Sequence, residues 1–206
     1  MGHSLALHSR IAWGSIALAM VAAAAGTAGG ASAAKGRGNE FRVLKPVADA
    51  YVTAFEPRAN FGDRPVLRVD GTAETTAYIR FEPRKFRGEV ASVTLLLYSN
   101  RSRGGRYAVR RVDGDWREKS LTYANAPDLS LDYMSARTVR RGWTAVDVTE
   151  FAVNAGGDPI SLALTTHRTR ALAFGSRESR HGPRLVVRFR ARNEVERLVP
   201  DALRRK

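Results

Sequence analysis

From Phe41 to Arg190 the apolar residues return at every second position in short segments. That period belongs to strands with one buried face, and no helix can use it. Val93, Leu95 and Leu97 alternate with Thr94, Leu96 and Tyr98; Ile160, Leu162 and Leu164 with Ser161, Ala163 and Thr165; Leu185, Val187 and Phe189 with Val186, Arg188 and Arg190. Shorter segments of the same kind are Asp49–Thr53, Val66–Val69, Ala77–Phe81, Tyr107–Val112, Thr144–Val148 and Ala171–Ser176. Turn-forming residues separate them: Asn60-Phe61-Gly62-Asp63, Asp70-Gly71, Arg103-Gly104-Gly105, Asp113-Gly114, Gly156-Gly157-Asp158-Pro159 and His181-Gly182-Pro183. Eight or nine short strands so spaced predict an all-β fold, an antiparallel jelly-roll β-sandwich. One helical turn is expected at Thr149–Asn154, capped by Thr149 and ended by Gly156. Trp116 to Met134 shows little alternation and reads as a long connection.

The core must hold this fold without staples, because the chain has no cysteine. Disulfides, thiolate metal sites and a cysteine nucleophile are excluded with it. The amino terminus has the three parts of a secretory signal: Arg10, an apolar run from Ile11 to Ala25, and small residues ending in Ala31-Ser32-Ala33. The apolar run is short of the roughly 20 residues a spanning helix needs. The expected organisation is therefore a signal peptide at 1–33, a linker at 34–42, a β-sandwich at 43–190 and a polar tail at 191–206. In that tail Val195, Leu198, Val199 and Leu203 recur at about helical spacing. A secreted, extracellular protein follows, with no stable membrane insertion after cleavage.

Charge bears on the partner. The net charge is +14, and of 34 basic residues 5 are Lys and the other 29 Arg. A genome biased toward Arg codons gives such a composition, and so does selection for an anionic partner: nucleic acid, an acidic polymer or a membrane surface. Arg101, Arg103 and Arg106 surround a Gly-Gly turn, Arg110 and Arg111 follow, and Arg140-Arg141 form a second pair. Guanidinium forks hold carboxylates and sulfates two oxygens at a time. These positions serve equally as a solvated basic surface. Trp116, Trp143, Tyr123 and Tyr133 can stack on sugar rings or pack a core; Tyr133 lies in the least patterned stretch and is expected to be the most exposed.

Five blocks in order resemble the DNRLRE domain, carbohydrate-binding module family 96. They are Ala48-Asp49-Ala50-Tyr51-Val52 with Asn60-Phe61-Gly62; Tyr78-Ile79-Arg80-Phe81 with Val93 to Tyr98; Trp116-Arg117-Glu118 leading to Leu121-Thr122-Tyr123-Ala124-Asn125-Ala126-Pro127; Gly142-Trp143 with Val146 to Thr149; and Phe174 to Ser179 closing with Gly182 to Val187. Tyr123 stands where the family usually has Trp. The resemblance implies a secreted jelly-roll sandwich that binds an extracellular polysaccharide, notably alginate, without catalysis.

On that reading the ligand-binding residues are Tyr133, Trp143, Arg103, Arg106, Arg110 and Arg141. Asp49, Asn60, Asp147 and Glu178 are oxygen donors in the matching blocks, and calcium is a cofactor the family suggests, with Asp49 and Glu178 as its ligands. The same residues can instead bond turn backbones, and Arg177-Glu178 reads as a structural bridge. Arg80, between Ile79 and Phe81, is expected to point away from the core.

The rival readings are a structural or adhesive surface protein without sugar affinity, and a polysaccharide lyase. A lyase needs a base beside a group that neutralises the uronate. The chain has no Gln and so lacks the Q-I-H motif of alginate-lyase jelly rolls. His167 and His181 are the only histidines beyond the signal segment, both in turn-like settings. No G-x-S-x-G, H-E-x-x-H or phosphate loop is present. A monomer with no specific nucleic-acid partner is expected.

Overall fold

The computed structural model describes residues 41–83, 88–101, 104–135 and 138–190, apart from the side chain of Ser135. The signal segment, most of the linker, Arg103 and the C-terminal tail lie outside the described residues. Among the described residues eleven strands form antiparallel sheets: β1 (Phe41–Leu44), β2 (Ala48–Val52), β3 (Val66–Val69), β4 (Thr76–Phe81), β5 (Val90–Ser99), β6 (Ala108–Val112), β7 (Leu129–Ser135), β8 (Gly142–Asp147), β9 (Ile160–Thr165), β10 (Leu172–Gly175) and β11 (Arg184–Phe189). Among the described residues one short α-helix, α1 (Thr149–Asn154), links β8 to β9.

The first sheet has the order β1-β11-β5-β8, the second β2-β4-β9-β6-β7, and β3 pairs with β10 as a two-stranded ribbon beside β5. The chain crosses between the large sheets at β1–β2, β4–β5, β5–β6, β7–β8 and β8–β9, which makes the fold a jelly-roll sandwich. Between the sheets lies one core. Ile79, Phe81, Val93, Leu95, Leu97, Leu162, Leu164, Leu185 and Val187 fill it, each less than 1% exposed. These are the alternating positions of the sequence, and each such side chain contributes about 1.5–3 kcal/mol by leaving water.

All nine segments with strand periodicity are strands. Two strands were not expected. β1 takes in Phe41 and Arg42, assigned to the linker, because Phe41–Leu44 pairs with Leu185–Arg188. β7 ends the supposed connection early, with Tyr133 opposite Arg110 and Leu129 opposite Val112. The remaining connection is packed. Trp116 and Leu121 bury against Ala50, Val52, Tyr78 and Ala163 on the outer face of the second sheet, a smaller core of its own.

The expected helix forms, with a different cap. Val148 is its N-cap residue, and the Thr149 hydroxyl instead donates to Asp147 Oδ1 (2.6 Å) and accepts the Val93 N–H (2.9 Å). Thr149 therefore ties the helix start to β5. Gly156, with φ of +60°, ends the helix as its N–H reaches the Val153 carbonyl.

Candidate functional site

Two constellations stand out, joined by one loop. The first is built on β2. Alternation turns Asp49 into the protein, 1% exposed. Its Oδ2 accepts the Arg177 backbone N–H (2.8 Å), while its Oδ1 is buried without a hydrogen-bond partner. Burial pushes the Asp49 carboxyl up to about 8; the Arg177 N–H opposes this, and the charges of Glu178 and Glu118 add to it.

Glu118 comes from the connection after Trp116 and was not among the expected ligands. Its Oε1 accepts the Asp49 N–H (2.8 Å). Asn60 and Gly62 hold this segment in place. The Asn60 amide donates to the carbonyls of Glu118 and Leu121 (2.7 Å each). A Cβ on Gly62 would sit 2.5 Å from the Glu118 carbonyl oxygen, so only glycine admits the approach. Asn60 is thus a clamp rather than an ion ligand, and Asp147 serves the turn by accepting the Thr149 N–H (2.9 Å).

Glu178 completes the group: ligand oxygens of Asp49, Glu118 and Glu178 lie within 4.8 Å of one another. The Arg177 guanidinium bridges the outer two, 3.2 Å from a Glu118 oxygen and 3.2 Å from Glu178, and also donates to the Val47 carbonyl. The Arg177–Glu178 bridge of the sequence reading is therefore present, with Glu118 as a third member. The three carboxyl groups share one guanidinium and include a buried oxygen without a hydrogen-bond partner. That donor set fits a hard divalent cation, and the cluster can hold a metal.

The second constellation lies on the outer face of the β1-β11-β5-β8 sheet. Tyr98 of β5 stands opposite Trp143 of β8. Their rings meet edge to face at 5.3 Å, and His181 stacks on Tyr98 at 4.3 Å. The Arg184 guanidinium lies over the Trp143 ring at 4.9 Å, and Trp143 remains 38% exposed. Leu96, Val186, Val43 and Phe41 continue the same face. At its Trp143 end, Ser99 pairs with Gly142, bringing Arg101 and Arg141 to the same margin. Arg101, Arg106, Arg140 and Arg141 are exposed.

The five expected ligand residues that are described, Tyr133, Trp143, Arg106, Arg110 and Arg141, do not form one group. Trp143 and Arg141 belong to this margin. Arg110 and Tyr133 pair across β6 and β7 in the opposite sheet, the guanidinium 5.3 Å from the ring centroid and donating to the carbonyls of Ser130 (3.0 Å) and Leu131. Tyr133 is exposed, as expected. Arg106 lies in the turn before β6, its carbonyl held by the Thr166 hydroxyl. Trp116 packs edge-on against Tyr78 under the Arg80 guanidinium, so it is structural. Arg80 does point away from the main core. Tyr98, His181 and Arg184 were missed. The alternation places Tyr98 beside Leu96, but only the register reveals its neighbours.

The model of carbohydrate-binding module family 96 matches residues 40–189. The chain belongs to carbohydrate-binding module family 96. The match runs from the residue before β1 to the last residue of β11, so both constellations fall inside the family 96 module. No curated protein matches the chain in sequence.

Proposed function

We propose that this family 96 module is a secreted, non-catalytic protein that binds an extracellular uronate-type polysaccharide on the outer face of the β1-β11-β5-β8 sheet. The observation that carries the reading is the Tyr98–Trp143–His181 group with Arg184 over Trp143 and Arg141 and Arg101 at its margin. Aromatic faces take the apolar faces of sugar rings, and guanidinium forks take their carboxylates. An all-aromatic platform suits neutral glucans; a platform edged by Arg suits acidic ones. The His181 ring is engaged in stacking, which supports binding over acid–base chemistry.

Calcium is the cation proposed for Asp49, Glu118 and Glu178. Its oxygen ligands stand about 2.4 Å away, so two on opposite sides are about 4.8 Å apart. The spacing of the three carboxylates accommodates that span. Export is proposed to follow cleavage after the Ala31-Ser32-Ala33 segment.

The test is retention of the pure protein on a panel of immobilised polysaccharides, with Trp143→Ala alongside. Alginate or another uronate polymer should retain the wild type, and Trp143→Ala should weaken retention about tenfold, a loss of about 1.4 kcal/mol. Equal retention of the variant would move the site off this face. Retention by none of the polymers would favour a structural surface protein.

A further inference from the structure

We infer that cation occupancy at Asp49, Glu118 and Glu178 controls sugar binding at Tyr98, Trp143 and His181, through the loop 176–183 that carries a member of each group. The inference rests on the polysaccharide reading above and adds a coupling to it.

Glu178 and His181 are three residues apart, and the loop between β10 and β11 is closed on itself. The Ser176 hydroxyl donates to the Arg64 carbonyl (2.6 Å) and accepts the Glu178 N–H (3.2 Å). The Ser176 carbonyl accepts both the N–H (3.0 Å) and the hydroxyl (2.8 Å) of Ser179. The Ser179 hydroxyl in turn accepts the His181 N–H (3.3 Å). Backbone meets backbone at both ends: a Cβ on Gly175 would lie 2.5 Å from the His181 carbonyl oxygen, and one on Gly182 would lie 2.9 Å from that of Ser176. A loop with so little slack moves as a unit, so displacing Glu178 displaces His181.

The force that would displace it is electrostatic. The carboxylates of Glu118 and Glu178 face each other beside the Asp49 carboxyl, and the Arg177 guanidinium is the cation that bridges them. Asp49 and Glu118 sit on other segments, while Glu178 is the most exposed of the three. A divalent cation turns their mutual repulsion into a common attraction and holds the loop against β2. Without it, Glu178 relaxes outward and takes His181 off Tyr98, loosening the platform beside Trp143.

The experiment uses the full secreted chain and two ligands measured separately: Ca2+ alone, and a short uronate oligosaccharide below the length that gels with calcium. Calorimetry should show one Ca2+ bound. Oligosaccharide affinity should fall about tenfold in chelator at matched ionic strength and return with Ca2+, within the usual range of coupling between sites. Glu118→Gln, which removes a cation ligand from outside the 176–183 loop and keeps an acceptor for Arg177, should abolish the calcium response of oligosaccharide affinity. Trp143→Ala should lose the oligosaccharide and keep Ca2+. An oligosaccharide affinity indifferent to bound Ca2+, or failure to bind Ca2+, overturns the coupling. If no uronate binds in either condition, the polysaccharide reading fails instead. The coupling is then decided by the His181 ring proton resonance: movement on Ca2+ titration supports it, and a fixed resonance overturns it.

Discussion

Asp49 shows how a single side chain acquires its chemistry from segments far apart in the chain. Its backbone N–H is bound by a residue 69 positions later, and its carboxylate by the N–H of one 128 positions later. The metal-free protein should report this in its pH dependence. Asp49 has a folded pKa of about 8, above its ordinary value of 3.8, so the fold holds a proton that the unfolded chain gives up. Stability therefore falls as pH rises from about 4 to about 8, the direction opposite to a salt-bridged carboxylate. In chelator, the melting temperature should be lower at pH 8 than at pH 5, and Asp49→Asn should flatten that difference. Calcium should raise the wild-type melting temperature at pH 8 by mass action and leave Asp49→Asn unmoved. A wild-type protein more stable at pH 8 than at pH 5 without metal would contradict the raised pKa.

The same cluster marks where the sequence stops being legible. Asp49 and Glu178 stand next to strand-like segments, so their acids attract notice. Glu118 lies in a stretch without periodicity, and nothing local says that Asn60 and Gly62 clamp it beside Asp49. The distinction is physical: periodicity reports which face a residue takes, while a clamp is a contact between distant segments.

At the scale of the element, both unexpected strands are edge strands, and both turn apolar residues to water. β1 exposes Phe41 (60%) and Val43 (55%), and β7 exposes Leu131 (91%) and Tyr133 (56%). Their alternation is real, yet its apolar half faces outward, the reverse of the pattern that identifies an inner strand. Burial decides the energetic consequence. Leu162→Ala in β9 should cost about 2–5 kcal/mol, as core leucines do, whereas Leu131→Lys should stay within about 0.5 kcal/mol. Denaturant unfolding of the two variants measures this directly, and equal losses would mean that β7 packs more tightly than its exposure shows. Binding should divide along the sheets as well. Trp143→Ala should lose uronate affinity, and Tyr133→Ala should retain it, because Tyr133 lies on the opposite sheet, away from Tyr98 and His181. The reverse result would transfer the site to the β6–β7 edge.

At the scale of the whole molecule the issue is what a net charge of +14 does. Part of the arginine is engaged by the protein's own aromatic rings. Arg42, Arg68, Arg80, Arg110 and Arg184 each lie over an aromatic ring, where guanidinium stacks as well as carries charge. Others remain at the exposed margin of Trp143, where Arg101, Arg140 and Arg141 can meet a polyanion. Diffuse attraction and a built site then separate by their salt response. A DNA duplex meets only the charge, so its binding should collapse between about 0.05 and 0.5 M salt, as counterion release requires. A uronate oligosaccharide meets the charge and the ring together, so it should weaken over the same range and keep a residual affinity, because stacking is not screened. Trp143→Ala should remove that residue of affinity at high salt and leave DNA binding unchanged. Parallel salt curves for the two ligands, both indifferent to Trp143→Ala, would reduce the basic surface to a non-specific one.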